Sequence, residues 1–141
     1  IVEKYEVVGA RASTPMPSLS EFLNHLDNYQ RKAVVTLLGR RAADVVFKRH
    51  NINIKITVCR DSKLRPKPYP DMVLEALRIL KTPPEEALMI GDSEWDEIAA
   101  SSAGVKFIGI TNHRSAHQFK NCIAIAEDLL GVVSVLKSLF G

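Results

Sequence analysis

Asp92 and Asp96 are the residues of this chain whose type and spacing speak most directly of chemistry. They close the run Leu88-Met89-Ile90-Gly91-Asp92-Ser93-Glu94-Trp95-Asp96. Apolar residues ending in a glycine read as a buried parallel strand that turns at once, and Glu94 to Ala103 reads as the helix that follows. Four positions apart at a helix start, the two carboxylates fall on one face. Open α/β sheets bind ligands at the carboxyl ends of their strands. A carboxylate pair at such an end can hold a hard divalent cation such as Mg²⁺, with Gly91 and Ser93 supporting it. The plainer reading of the same residues is a helix cap with solvated charges.

Two further points lie at strand ends or in the loops beside them. Thr36 ends the apolar run that begins at Ala33, just before Gly39 and a helix, where a hydroxyl can meet a phosphate oxygen. A β-favouring threonine in a core strand is the alternative. Lys67 stands between Pro66 and Pro68. Prolines on both sides restrict the backbone and aim the ammonium, which can neutralise a phosphoryl oxygen or a carboxylate. The alternative is an exposed lysine in a proline-rich loop.

The elements that must position these residues alternate along the chain. Residues 1–12 mix apolar and charged side chains at helical spacing. Ser18 or Ser20 caps a helix carrying Leu19, Phe22, Leu23 and Leu26. A strand runs over residues 33–38, a helix over 40–49 with Ala43, Val46 and Phe47 inward, and an alternating edge strand over 52–58. Asp71 opens a helix with Val73, Leu74, Leu77 and Leu80 on one side. Strand 87–90, helix 94–103 with Gly104 at its end, strand 105–110, short strand 122–125 and helix 126–140 complete the order. Strand and helix in alternation, with short links, specify a parallel sheet covered by helices.

Composition excludes several classes. The 141 residues suit one domain with a sizeable core. A net charge of +3, with scattered basic residues, gives no case for a nucleic-acid partner. No apolar run approaches the roughly 20 residues needed to span a bilayer. Cys59 and Cys122 form no CxxC, and two such cysteines fit reduced thiols in a cytoplasmic setting. Trp95 is expected to pack against a neighbouring helix, Arg40 and Arg41 to be solvated, and His113 and His117 to lie in an exposed loop. No Gly-x-Gly-x-x-Gly follows any strand, which argues against a dinucleotide-binding fold.

Taken together, Thr36, the Pro66-Lys67-Pro68 loop and Gly91-Asp92-x-x-x-Asp96 form a constellation that resembles the haloacid dehalogenase superfamily of phosphohydrolases, in particular its phosphoglycolate-phosphatase-like branch. Pro68-Tyr69-Pro70-Asp71, Arg60-Asp61 and the segment Ala99 to Val105 fit as well, and the likeness covers roughly Glu6 to the end. It implies a three-layer Rossmann-like α/β fold: a single core domain over residues 1–141, with an N-terminal helical region over 1–30 and the α/β core over 31–141. It further implies that Asp92 and Asp96 hold Mg²⁺ directly or through water, that Thr36 binds the transferring phosphoryl group, and that Lys67 steadies the nucleophile and the phosphoryl charge. The reaction implied is hydrolysis of a small phosphorylated metabolite, a phosphate monoester, through an aspartyl-phosphate.

The resemblance also shows departures. The family's first motif is an Asp-x-Asp pair at the end of the first strand, and no two aspartates here are spaced by two. That strand lies mid-sheet, between the strands ending at Thr36 and Gly91. The expectation is therefore a sheet whose central first strand is missing, because the chain is a fragment or a degenerate member. An oligomer or a second segment would then fill the gap, or the two strands would pair directly. Where many relatives have Asn after the Thr36 position, this chain has Leu37. If the nucleophile is lost, the alternative function is a catalytically inactive scaffold or binding protein. A phosphoacceptor signalling domain is a weaker fit, since its acidic pair comes early in the chain.

Overall fold

The computed structural model describes residues 2–5, 18–60, 63–112 and 119–140. Its elements are β1 (Val2–Tyr5), α1 (Leu19–Leu26), β2 (Lys32–Val35), α2 (Arg40–Arg49), β3 (Ile56–Val58), α3 (Asp71–Leu80), a short 3₁₀ turn (Pro84–Glu86), β4 (Ala87–Gly91), α4 (Glu94–Ala103), β5 (Lys106–Ile110), β6 (Ala124–Ala126) and α5 (Leu129–Phe140). The strands form one sheet in the order β3-β2-β1-β4-β5-β6, and every neighbouring pair is parallel. This is the expected α/β architecture of a parallel sheet between helices.

Strand residues alternate between two cores. Val34, Leu88, Ile90, Ile108 and Ile110 face α1, α2 and α5. Ala33, Val35, Met89 and Phe107 face α3 and α4. A strand buried on both faces must be apolar at every position, and β4 is buried throughout. Three apolar helical stripes close one face and two the other. α1 belongs to the first of these cores, with Leu19, Phe22 and Leu26 buried beside Leu129, Val132 and Leu136 of α5.

The centre of the sheet differs from expectation. Val2–Tyr5, read in sequence as part of a helical stretch, is a strand in the place expected to be empty. It pairs with β2 on one side, Glu3 opposite Lys32 and Lys4 opposite Ala33. On the other side it pairs with β4 from Val2–Ala87 to Tyr5–Ile90. The reason is backbone satisfaction. Two mid-sheet strands with no neighbour would each bury a row of unpaired N–H and C=O groups, and a ladder asks only for extended backbone, not for a side-chain pattern. The expected helix over Glu6 to Ala10 lies outside the described residues.

Smaller differences have local causes. The alternating stretch 52–58 pairs only over Ile56–Val58, at the sheet edge as expected, while Ile52 and Ile54 turn into the α1–α2–α5 core. Ser18 stands at the start of α1 in a left-handed conformation (φ 67°) and makes no side-chain cap. Leu74 is exposed, and the inward face of α3 is Met72, Val73, Ala76, Leu77 and Leu80. Gly104 ends α4 at φ 76°, the left-handed position that favours glycine. Among the described residues no helix is long and apolar enough to cross a membrane.

Candidate active site at the carboxyl end of the sheet

The strand ends converge where the sequence places them. Asp92 follows β4 directly, Thr36 follows β2, and Asn112 stands two residues beyond β5. Lys67 enters from the proline loop that precedes α3. Its Nζ donates to Asp96 Oδ1 at 2.7 Å, and the two side chains are only 1% and 0% exposed. Asp96 is thus the inner anchor of the site. Its Oδ2 accepts a hydrogen bond from Ser93 Oγ at 2.9 Å.

Ser93 does two jobs through one oxygen. Besides donating to Asp96 Oδ2, its Oγ accepts the Asp96 N–H at 3.2 Å and so caps α4. The Ser93→Ala variant is expected to lose about 1 kcal/mol of stability from the cap, read as a lower urea midpoint with an unchanged m-value.

Gly91 is required by close approach. A Cβ on it would meet Asp96 Oδ2 at 2.6 Å and Asp96 Cβ and Cγ at 2.7 Å. The start of α4 therefore lies directly on the end of β4, and Asp96 is pressed against the strand that carries Asp92. Asp92 itself is largely buried, and Asn112 Nδ2 donates to its Oδ2 at 3.4 Å. Asn112 has φ 53°, a left-handed conformation that asparagine adopts more readily than most residues.

Thr36 is buried at the end of β2, held by its N–H to Val58 O at 3.0 Å. Its Oγ1 accepts the Leu38 N–H at 3.1 Å, which shapes the turn into α2. Leu37 packs against the core formed with α3 and α4. The structure thus joins Lys67, Gly91, Ser93 and Asp96 by direct contact and ties Asp92 to Asn112. Thr36 shares the same end of the sheet, across β1 from Asp92.

Other candidate residues fall elsewhere. Trp95 is not packed away as expected: it is 57% exposed, because the small residues Ala99, Ala100 and Ala103 take the inward face of α4. Arg40 is not simply solvated. Its Nη2 donates to Thr57 O at 3.0 Å on the edge strand β3, a cover for an edge group that would otherwise await a partner. Cys59 and Cys122 are free thiols, and burial together with the Glu97 charge pushes the Cys122 thiol up. His113 and His117 lie outside the described residues. Reading the sequence missed two polar residues near the acidic pair. Asn112 ends a strand as Thr36 and Asp92 do, and the same rule would have found it. The buried Glu97, whose Oε2 accepts the Asn121 N–H at 2.8 Å, carries no such signal.

The donor set can be weighed for a hard cation. Among the described residues no group of three or more His, Cys, Asp or Glu could hold a metal ion. Mg²⁺ commonly takes one or two carboxylates and completes its shell with water and phosphate oxygens, so an acidic pair of this kind suffices. Asp96 is engaged by Lys67 and Ser93, and Asp92 Oδ2 accepts from Asn112, so both carboxylates are already oriented at this end of the sheet.

A parallel sheet between helices, with a lysine–aspartate pair buried at its carboxyl end, places the chain in the class of α/β proteins that gather polar residues at the ends of their strands. The "Haloacid dehalogenase-like hydrolase" family matches residues 1–110, and the chain belongs to that family. It is 40% identical over 82 residues to a Caldanaerobacter subterraneus subsp. tengcongensis protein assigned to the PpaX pyrophosphatases. That match covers 57% of this chain and 37% of the relative. It is 30% identical over 87 residues to pyrophosphatase PpaX of Anoxybacillus flavithermus, covering 57% and 40%. The matches thus take in about two fifths of these relatives' length.

Solved structures agree on the fold. A Pseudomonas syringae hydrolase superposes with a TM-score of 0.77 at 27% identity, over 90% of this chain and 62% of its own. A haloacid dehalogenase-like hydrolase of Bacteroides fragilis gives 0.74 at 29%, over 82% and 58%. A Thermotoga maritima protein assigned as a beta-phosphoglucomutase gives 0.80 at 23%, over 92% and 63%.

Proposed function

We propose that this chain carries the cation- and phosphate-binding part of a Mg²⁺-dependent phosphatase acting on a small phosphate monoester. The observation that supports this most is the buried Lys67–Asp96 pair beside Asp92 at one strand end. A structural ion pair gains little from being buried there, whereas a held ammonium next to carboxylates is what phosphoryl transfer uses. The names of the PpaX relatives lend support to phosphate chemistry.

In this reading Asp92 and Asp96 would hold Mg²⁺, directly or through water, and Asp96 also orients Lys67. The cation, when bound, neutralises charge on the phosphoryl oxygens. The Thr36 hydroxyl, which already accepts the Leu38 N–H, offers its own O–H to a phosphoryl oxygen. The Lys67 ammonium, held at Asp96, would place its positive charge beside the same group and the attacking carboxylate. That carboxylate displaces from phosphorus the ester oxygen, which takes a proton from solvent and leaves as the alcohol. Water then cleaves the P–O bond of the aspartyl-phosphate, giving inorganic phosphate and the carboxylate again. None of the aspartates of this chain stands in an Asp-x-Asp pair, so the nucleophile is assigned outside them. Free cysteines support a reducing, cytoplasmic setting.

The test is the Mg²⁺ requirement of phosphate-ester hydrolysis by the protein at its native length. Asp92→Asn is expected to raise the Mg²⁺ concentration for half-maximal rate by at least about tenfold, the scale on which metal sites respond to altered ligation. An unchanged requirement in Asp92→Asn overturns the assignment of Asp92.

A further inference from the structure

Lys67 and Asp96 are both removed from water, and an ammonium that left would strand a buried carboxylate. The pair holds the Lys67 head group, and the loop that carries Lys67 fixes the backbone from which its side chain reaches inward.

That loop is closed on its outer side. Arg65 donates three times to one carboxylate: its N–H to Asp71 Oδ2 at 3.3 Å, its Nε to Oδ2 at 3.0 Å and its Nη2 to Asp71 Oδ1 at 2.9 Å. The same guanidinium lies over the Tyr69 ring, 4.3 Å from its centre. Inside the loop, the Tyr69 N–H donates to Pro66 O at 3.1 Å. Asp71 opens α3, whose Met72, Val73, Ala76 and Leu77 are buried against the sheet. The loop is thus tied to a helix anchored in the core.

We propose that Arg65, with Asp71 and Tyr69, is a clasp that holds the Lys67 ammonium in the interior. The three are positioning residues: they turn toward solvent while Lys67 turns inward. The Arg65 guanidinium holds the Asp71 carboxyl below the ordinary carboxylate range, so the clasp is charged at neutral pH. Exposed ion pairs add little to global stability. The clasp is accordingly expected to change where Lys67 sits with little change in the urea midpoint. An Arg65→Lys change is not conservative here, because an ammonium cannot make the planar two-pronged contact or the stack.

The experiment is amine labelling of the native-length protein by N-hydroxysuccinimide acetate at neutral pH, with each lysine read by peptide mass spectrometry. In the wild type Lys67 labels slowly. Arg65→Ala and Arg65→Lys are each expected to speed Lys67 labelling by about tenfold, a coupling of ordinary size for residues linked through a shared stretch of backbone. Tyr69→Ala, which removes only the stack, gives a smaller rise. Lys67 protection equal to wild type in both Arg65 variants overturns the clasp. An equal rise at Lys32, a half-buried lysine at the opposite end of the sheet, overturns it as general loosening. What the clasp means for catalysis rests on the reading of Lys67 given above. Faster labelling with an unchanged hydrolysis rate supports the clasp and removes Lys67 from the reaction.

Discussion

Replacing Lys67 by Met is expected to destabilise the fold by about 3–5 kcal/mol, because it leaves a buried carboxylate with its charge uncompensated. Asp96 is fully buried, and Lys67 is its cationic partner at 2.7 Å. Ser93 Oγ can still donate to Oδ2, but a neutral donor does not balance a charge in a site closed to water. The loss is read as a shift in urea midpoint at constant m-value. The double variant Lys67→Met/Asp96→Leu separates stability from chemistry. Leu keeps the branched shape of Asp, and apolar replacement of both partners of a buried pair is often neutral or stabilising. The double variant should therefore recover most of the stability lost in Lys67→Met. If the single variant is as stable as wild type, the pair is not buried in solution as it is in the structure.

Gly91→Ala is the second change with a large expected effect. The added methyl would lie 2.6–2.7 Å from the Oδ2, Cβ and Cγ atoms of Asp96. The obstacle is not a flexible side-chain tip: the Asp96 Cβ is fixed by the α4 backbone, and that helix packs through Ala99, Ala100 and Ala103 against the sheet. Overpacking of this kind costs about 1–3 kcal/mol. The displaced carboxylate also leaves Lys67, so lysine labelling should rise together with the loss of stability. A stable Gly91→Ala protein with Lys67 still protected would show that α4 can shift without disturbing the site.

The two predictions rest on the part of the molecule that was most legible. β4 is buried on both faces, so its sequence is apolar without a break. The turn at Gly91 and the helix ending at Gly104 left equally plain marks, and α2 was read to its residue limits. Lys67 and Asp92 were singled out because each stands at a strand end or in a loop beside one, where ligands bind in such sheets, and Asp96 because it lies in the first turn of the helix that follows. What could not be read is what the backbone does without side-chain help. β1 lies in mid-sheet through main-chain pairing, and its mixed residues gave a helical spacing instead. Arg65 and Asp71 are six residues apart across a proline loop, a distance that matches no helix or strand period. Trp95 was expected to pack because of its size, but the helical phase set by the alanines of α4 turned it outward. The departure at Leu37 was visible. Its consequence, a side chain that joins the core, needed the fold.

The measurement that bears most directly on the central claim is phosphate release from p-nitrophenyl phosphate with Mg²⁺. It should use the protein at its native length, comparing wild type with the Lys67→Met/Asp96→Leu variant once its stability has been verified. The account predicts turnover in the wild type and a loss of at least about a hundredfold in the variant, the scale of removing one preorganised charge-stabilising group. Equal rates in the two proteins, or no turnover by the wild type, would contradict it.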